Sequence, residues 1–441
     1  MQATYELLRL YGSILFPVLV VSVWMFALYA ALSYAVPAVL CSSAVRSNAG
    51  ITQGFVNCVY NHGGDYSHDI GIKTFWLLFW AAQQFWISGF SGLMGYAMFP
   101  RCFRAIDLII IVTLAVGSAM VTLIGAPLGH YDLNSNLLVL LPTVVTAGVT
   151  ITTGFASARY TGSKVDAARY LCMFGLGGVV VAIYTFLMPT LVTSRTSINQ
   201  LLILRLLVHP TIWSLLIVVF SNTVRHIGAV DNLMQAVLWI WPVMYKSIYG
   251  RFLLLQLGTT SNIVILNVLI SVYNLAGRLA NRQGSGLLLQ LMYGSRTAEA
   301  LSATDAMNQI RLAEIFASTI AEHAGIVAAS AIYSFGRVSA LGKPPDHYTI
   351  WMSALCQSLT TLLADFVALA CDWKYHSIDY FTNWVSNMRV FLTYILIIIT
   401  LGSSRLCVEL LMLFCPVYTE DEGILLRYCD KPSLFGRIGK H

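Results

Sequence analysis

IDLIIIVTLAVGSAMVTLIGAPL, residues 106–128, carries one carboxylate at its mouth, Asp107, and no other charge. Wound as a helix at 1.5 Å per residue it would be about 34 Å long. The hydrocarbon layer of a bilayer is about 30 Å thick, and roughly 20 mainly apolar residues cross it. This stretch therefore predicts a transmembrane helix, and it is one of many. Comparable apolar runs occupy 11–40, 75–99, 137–155, 170–191, 201–220, 233–249, 252–276, 315–335, 348–371 and 390–414. The fold class that follows is all-α, a polytopic integral membrane helix bundle with ten or eleven transmembrane helices, residues 1–441 forming a single integral membrane domain.

The uncertainty of one span comes from 233–249, LMQAVLWIWPVMYKSIY, where Trp239, Trp241 and Tyr245 cluster around Pro242. Trp and Tyr favour the water–lipid interface, so a helix lying in that plane competes with a span. The first run, 11–40, is too long for a cleaved signal peptide, and only Arg9 precedes it as a basic flank.

Composition agrees with the spans. Of 441 residues 57% are hydrophobic and 10% charged, whereas a soluble domain carries about 25% charged residues to face water. That excludes a soluble enzyme, a disordered scaffold and a nucleic-acid-binding domain. The net charge of +6 is scattered over short loops, without a basic run that would track nucleic acid or hold acidic lipid tightly. The expected partners are the lipid bilayer and, beyond it, further copies of the chain or other subunits of a membrane complex; no nucleic acid and no cofactor is expected.

Basic residues in short loops orient the bundle, because Lys and Arg are retained on the cytoplasmic side. Arg101 and Arg104 follow the second span, the loop 130–136 has no basic residue, and Arg159, Lys164 and Arg169 follow the fourth. Arg195 alone follows the fifth and Arg225 the sixth. The alternation puts the N-terminus in the cytoplasm or on the equivalent inner side. Counting 233–249 as a span also keeps Arg278, Arg282, Arg296 and Arg311 inside, which favours eleven spans. The hydrophilic loop 42–73 is then external, and Cys41 and Cys58, which bracket most of it, are a candidate disulfide if that side is oxidising. Cys172, Cys356, Cys371 and Cys407 lie in apolar runs and are expected to be small buried hydrophobes. The second hydrophilic stretch, 277–314, reads as a helix leading into the ninth span from Gly294-Ser295. Neither stretch is long enough for a core of its own, and no internal repeat is visible.

Charges inside spans carry the functional signal, since each costs at least about 2.5 kcal/mol at the bilayer centre. The first eight spans hold no internal carboxylate; Asp107, Asp132, Asp166 and Asp231 all fall at segment ends or in loops. The last three spans differ, with Glu314, Glu322 and His323 at or within the entry to the ninth, Asp365 deep in the tenth with Asp372 at its end, and Arg405 and Glu409 in the eleventh. Glu314 and Glu322 are about 80° apart around a helix, Asp365 and Asp372 nearly eclipsed, and Arg405 and Glu409 one turn apart. Asp365 has no charged neighbour within six residues. It is expected either to carry a proton or to pair with a cation from another helix, Arg405 or His323 being the favoured donors.

Three readings compete for this cluster. Carboxylates and imidazole are what a proton or cation relay requires. A metal site fits less well, because di-iron bundles use Glu-x-x-His and Glu322-His323 are adjacent. The third reading is pairing across helices for packing alone. Arg205 and His209, one turn apart before Pro210, are weaker candidates; an arginine near a span end usually snorkels to the interface, and haem ligation by His209 and His323 would need facing helices. The Gly-rich pieces 89–98 and 174–181 lack the Lys-Ser/Thr of a nucleotide loop and are expected to pack helices closely. Hydroxyls in the Thr-rich run 144–158 either bond back to their own helix or face a pore.

The leading expectation is a channel or transporter for an ion or small solute, with its path lined by the last three spans. A non-catalytic structural or assembly subunit of a larger membrane complex is the first alternative. A membrane-embedded lipid-modifying enzyme is the second, with Asp372, Lys374, His376 and Asp379 its only candidate polar set.

Overall fold

In the computed structural model, the described residues are 2–30, most of 78–96, 103–125, 136–191, 198–227, 232–255, 265–276 in large part, 290, 305–341, 347–376 and most of 392–403. Every regular element among them is helical. In chain order these are α1 (Gln2–Ala30), α2 (Ala105–Gly125), α3 (Asn136–Thr161), α4 (Lys164–Leu191) and the short α5 (Ile198–Ile203). A π-helical turn, Leu204–Val208, joins α5 to α6 (His209–Ile227), followed by α7 (Asn232–Leu255), α8 (Asp305–Leu341) and α9 (His347–His376). Among the described residues, three helical stretches are long and apolar enough to cross a membrane: Asn199–Phe220, Glu314–Ser334 and Tyr348–Cys371. They coincide with the expected spans 201–220, 315–335 and 348–371. Four others, Leu15–Tyr29, Ala105–Val121, Val144–Ala156 and Ala167–Val181, are apolar over only 10–17 residues.

The core is the pair α7 and α8, which pack on each other more extensively than any other two elements. From Ile240 to Leu255 nearly every side chain of α7 is buried, Trp241 and Lys246 being half-buried. Trp241 and Tyr245, on either side of Pro242, therefore do not lie along an open surface, and the expected break between 233–249 and 252–276 is absent: α7 runs through Gly250 and Arg251. Close approach is possible because α8 is rich in small residues there, Ala317, Ala321, Ala324, Ala328 and Ala329 all being buried. At Gly325 a Cβ would overlap the side chain of Ser247 on α7. Small residues at such a crossing let two backbones meet.

The other helices are layered on this pair. α1 packs on α8 and α9, α9 on α8, and α6 on α7 and α4; α4 continues to α3, and α3 to α2. Gly162, with φ of 67°, turns the chain between α3 and α4, a left-handed conformation that glycine adopts without a Cβ penalty. Outward faces are apolar. Ile106, Ile109, Val112 and Val116 on α2, and Phe16, Leu19, Val23 and Phe26 on α1, are exposed. Cys172 is exposed and Cys356 and Cys371 half-buried, so these three are not the buried hydrophobes expected of them; they sit on or near the apolar outer faces.

Within the glycine pieces, Gly92 and Gly177 act as packing elements, whereas Gly175 and Gly178 have open space where a Cβ would stand. A Cβ on Gly92 would meet Ile111 and Val149, and one on Gly177 would meet the ring of Trp241. Hydroxyls of the Thr-rich run fold back on their own helix: Thr150, Thr152 and Thr153 donate to the carbonyls of Thr146, Gly148 and Val149 at 2.7–2.9 Å.

Candidate functional site

Along α9 the polar residues Ser353, Gln357, Thr361 and Asp365 recur every four positions. Each step of four turns about 40° around the axis, so the four form one slanting stripe, and all are buried. The opposite side, Met352, Leu355, Leu359 and Leu363, is exposed. A helix in water would bury the leucines and expose the glutamine; here the arrangement is inverted.

The stripe ends at Asp365, whose Oδ2 lies 3.3 Å from Nε2 of His323 on α8. Both residues are 2% exposed. The separation exceeds the 2.7–2.9 Å of a tight charge-assisted hydrogen bond. α1 supports this level of α9: the Tyr11 hydroxyl donates to the carbonyl of Leu362 at 3.2 Å, and its ring meets Phe366 edge-on at 5.2 Å. Tyr11 is also within electrostatic reach of Asp365.

On α7, Arg251 is 5% exposed and lies among these groups. Its Nη1 donates to Oε1 of Gln357 at 2.7 Å and its Nε to Oγ of Ser247 at 3.3 Å. Gln357 in turn donates through Nε2 to Oγ of Ser353 at 3.0 Å, and Ser247 donates to the backbone carbonyl of Glu322 at 3.2 Å. Glu322 and Asp365 are both within electrostatic reach of Arg251. Three helices thus share one polar layer inside an apolar bundle, with its guanidinium on α7 and its carboxyl groups on α8 and α9.

Of the residues expected to line a path, His323 and Asp365 are brought together, and Glu322 joins them through Arg251. Glu314, half-buried, stands at the start of the apolar part of α8, about two turns before Glu322. Asp372 follows on α9, two turns past Asp365. Arg405, Glu409, Asp379, the Cys41–Cys58 pair, all of 42–73 and almost all of 277–304 lie outside the described residues. Of the two donors expected for Asp365, His323 stands beside it, and Arg405 lies outside the described residues. Arg251 is not among the residues expected to line a path, because it falls between the expected spans 233–249 and 252–276. The signal was present in the continuity of 232–255, a helix-compatible run with only Lys246 and Arg251 charged.

The expectation that Arg205 snorkels to the interface is overturned. Its side chain is buried, 6% exposed, at the π-turn between α5 and α6. His209 uses both ring nitrogens within the bundle, Nδ1 with the Tyr184 hydroxyl and Nε2 with the carbonyl of Lys246, each at 2.8 Å. At the other edge of the fold Asp107 is held by two hydrogen bonds from Arg159, at 2.8 and 2.6 Å, and caps the start of α2 by accepting from the N–H of Arg104 at 2.9 Å. No family model, curated protein or solved structure matches the chain.

Proposed function

We propose that the chain is a multi-pass membrane protein of ten or eleven spans, N-terminus inside, that moves an ion or small solute through the bilayer. Its path runs along the polar layer between α8 and α9, with the eleventh span, carrying Arg405 and Glu409, closing the third side. The observation that carries the reading is the buried His323–Asp365 contact. An imidazole and a carboxylate can pass a proton between them, and buried ionisable groups inside apolar helices mark ion and proton routes. The inverted faces of α9 support the bilayer itself as the surroundings, since exposed leucines are stable against lipid and polar groups turn to the bundle interior. On this reading a proton or a cation is the favoured cargo, Asp365 the group that accepts it and His323 the one that hands it on.

The test is flux. Wild-type protein reconstituted in liposomes loaded with a pH-sensitive dye should collapse an imposed pH gradient, and Asp365→Asn should not, while unfolding at the wild-type temperature. Wild-type rates in the Asn variant would remove the pair from the path.

A structural or assembly subunit is the second reading. The chain Arg251–Gln357–Ser353, in which each partner satisfies the next, favours it, because a closed polar network fixes helix register without transporting anything. It expects no flux from the wild type and a lower unfolding temperature for Asp365→Asn.

A further inference from the structure

Arg205 belongs to a different place from the polar layer of α8 and α9. Residues 204–210 read LRLLVHP. Pro210 has no N–H to give to the carbonyl of residue 206, and its ring crowds that carbonyl. The backbone widens into the π-turn Leu204–Val208 just before it. Such turns interrupt an α-helix at functional sites more often than elsewhere. Leu206, Leu207 and Val208 face outward, while Arg205 points in.

The guanidinium has been given room but no counter-charge. Gly250 on α7 makes the room: a Cβ there would stand 2.7 Å from Cζ of Arg205 and 3.0 Å from Nε2 of His209. The Nε of Arg205 is buried without a hydrogen-bond partner among the described residues. Its electrostatic neighbours among them are Arg251 and Tyr184, with no carboxylate. His209 cannot serve as an acceptor. The carbonyl of Lys246 only accepts, so Nε2 carries a proton, and Nδ1 is occupied by the Tyr184 hydroxyl. Around the pair stand Trp213 and Tyr249, their rings 5.4 and 5.0 Å from that of Tyr184. Aromatic edges carry partial positive charge, so such walls tolerate an anion.

A buried cation without an anion is strongly unfavourable, and nothing in the described fold supplies one. We propose that Arg205 anchors a binding site for a small monovalent anion taken from water, such as chloride or a short carboxylate, held by its guanidinium beside Tyr184 and Trp213. Arg251, the second guanidinium in reach, already gives its Nε and Nη1 to Ser247 and Gln357, so Arg205 is left to neutralise a single charge, which selects a monoanion over a dianion. A lipid phosphate is disfavoured as occupant, because Arg205 lies about 9 Å into the apolar stretch Asn199–Phe220 and its side chain turns toward α7. The site shares Arg251 as an electrostatic neighbour with the layer around Asp365, but its anion would be held by Arg205 and not by that layer.

The experiment is a thermal unfolding titration of the purified protein with sodium chloride and with sodium acetate, ionic strength being held constant with sodium gluconate, a bulkier anion, as the reference. The wild-type unfolding temperature should rise saturably with chloride or acetate. Arg205→Gln should abolish the response. Gly250→Ala, which keeps the charge but pushes the guanidinium aside, should raise the half-saturating concentration about tenfold, and it decides the matter if Arg205→Gln does not fold. A wild-type curve that is flat against both anions, or a Gly250→Ala response equal to wild type, would overturn the site. Stabilisation seen only in nanodiscs containing anionic lipid, and not with chloride or acetate in neutral lipid, would overturn it in favour of a headgroup.

Discussion

His323 on α8 and Asp365 on α9 face each other at 3.3 Å, both sealed inside the bundle, although 42 positions separate them in the chain. Each is the other's counterpart: removing either leaves a polar group where water does not reach.

That relationship is measurable as a coupling. His323→Ala and Asp365→Ala should each lower stability by about 1–3 kcal/mol, the cost of a stranded buried polar group. The double variant should be less destabilised than the sum of the two, with a coupling of about 0.5–3 kcal/mol. Denaturation of all four proteins in one detergent gives the cycle; strict additivity would mean that the two side chains do not sense each other.

Arg251 and Gln357 should rank unequally. Arg251→Leu strips Gln357 of its donor and removes a guanidinium within electrostatic reach of Glu322 and Asp365, a loss of about 3–5 kcal/mol for a broken buried charge arrangement. Gln357→Leu takes one neutral acceptor from Arg251, which keeps Ser247 and both carboxylates, and should cost about 1–3 kcal/mol. Unfolding temperatures in the reverse order would show that Arg251 is not the centre of the layer.

Gly325 sets the distance between α7 and α8. Gly325→Ala places a methyl group against Ser247, and overpacking of this kind costs about 1–3 kcal/mol. Ser247→Gly in the same protein should recover part of the loss by vacating the space. A Gly325→Ala protein as stable as wild type would mean that the two helices move apart freely.

Topology is checked by labelling from one side of sealed vesicles. Single cysteines in 42–73 should react with an impermeant maleimide from outside, and those between Arg159 and Arg169 only after permeabilisation; reaction of both from one side contradicts the assigned orientation. If Cys41 and Cys58 are bridged, alkylation should add mass at both only after reduction.

Much of the bundle is written in local sequence. Long apolar runs such as 348–371 have to satisfy their own backbone hydrogen bonds in an apolar medium, and only a helix does so within one segment; hence 201–220, 315–335 and 348–371 recur as apolar helices nearly residue for residue. The period of four in Ser353, Gln357, Thr361 and Asp365 likewise assigns the four to one face before any neighbour is known. Pro210 marks the π-turn in the same local way.

Which helix that face meets is not local. His323 stands beside Asp365 because α8 packs on α9, a consequence of long-range packing that no window of sequence contains. The continuity of α7 was hidden for a related reason. Gly250-Arg251 ends an apolar run when judged by hydropathy, yet the helix continues, since Gln357 on α9 and Ser247 one turn back give Arg251 its hydrogen bonds. Arg205 shows the same division. Sequence places an arginine before a proline in a span; the missing Cβ of Gly250, on another helix, is what lets it turn inward instead of reaching for water. Local sequence determined where helices form and which side of each is polar, because those depend on backbone satisfaction and periodicity. Tertiary structure alone decided which charges meet, because that depends on side-chain volumes at crossings far apart in the chain.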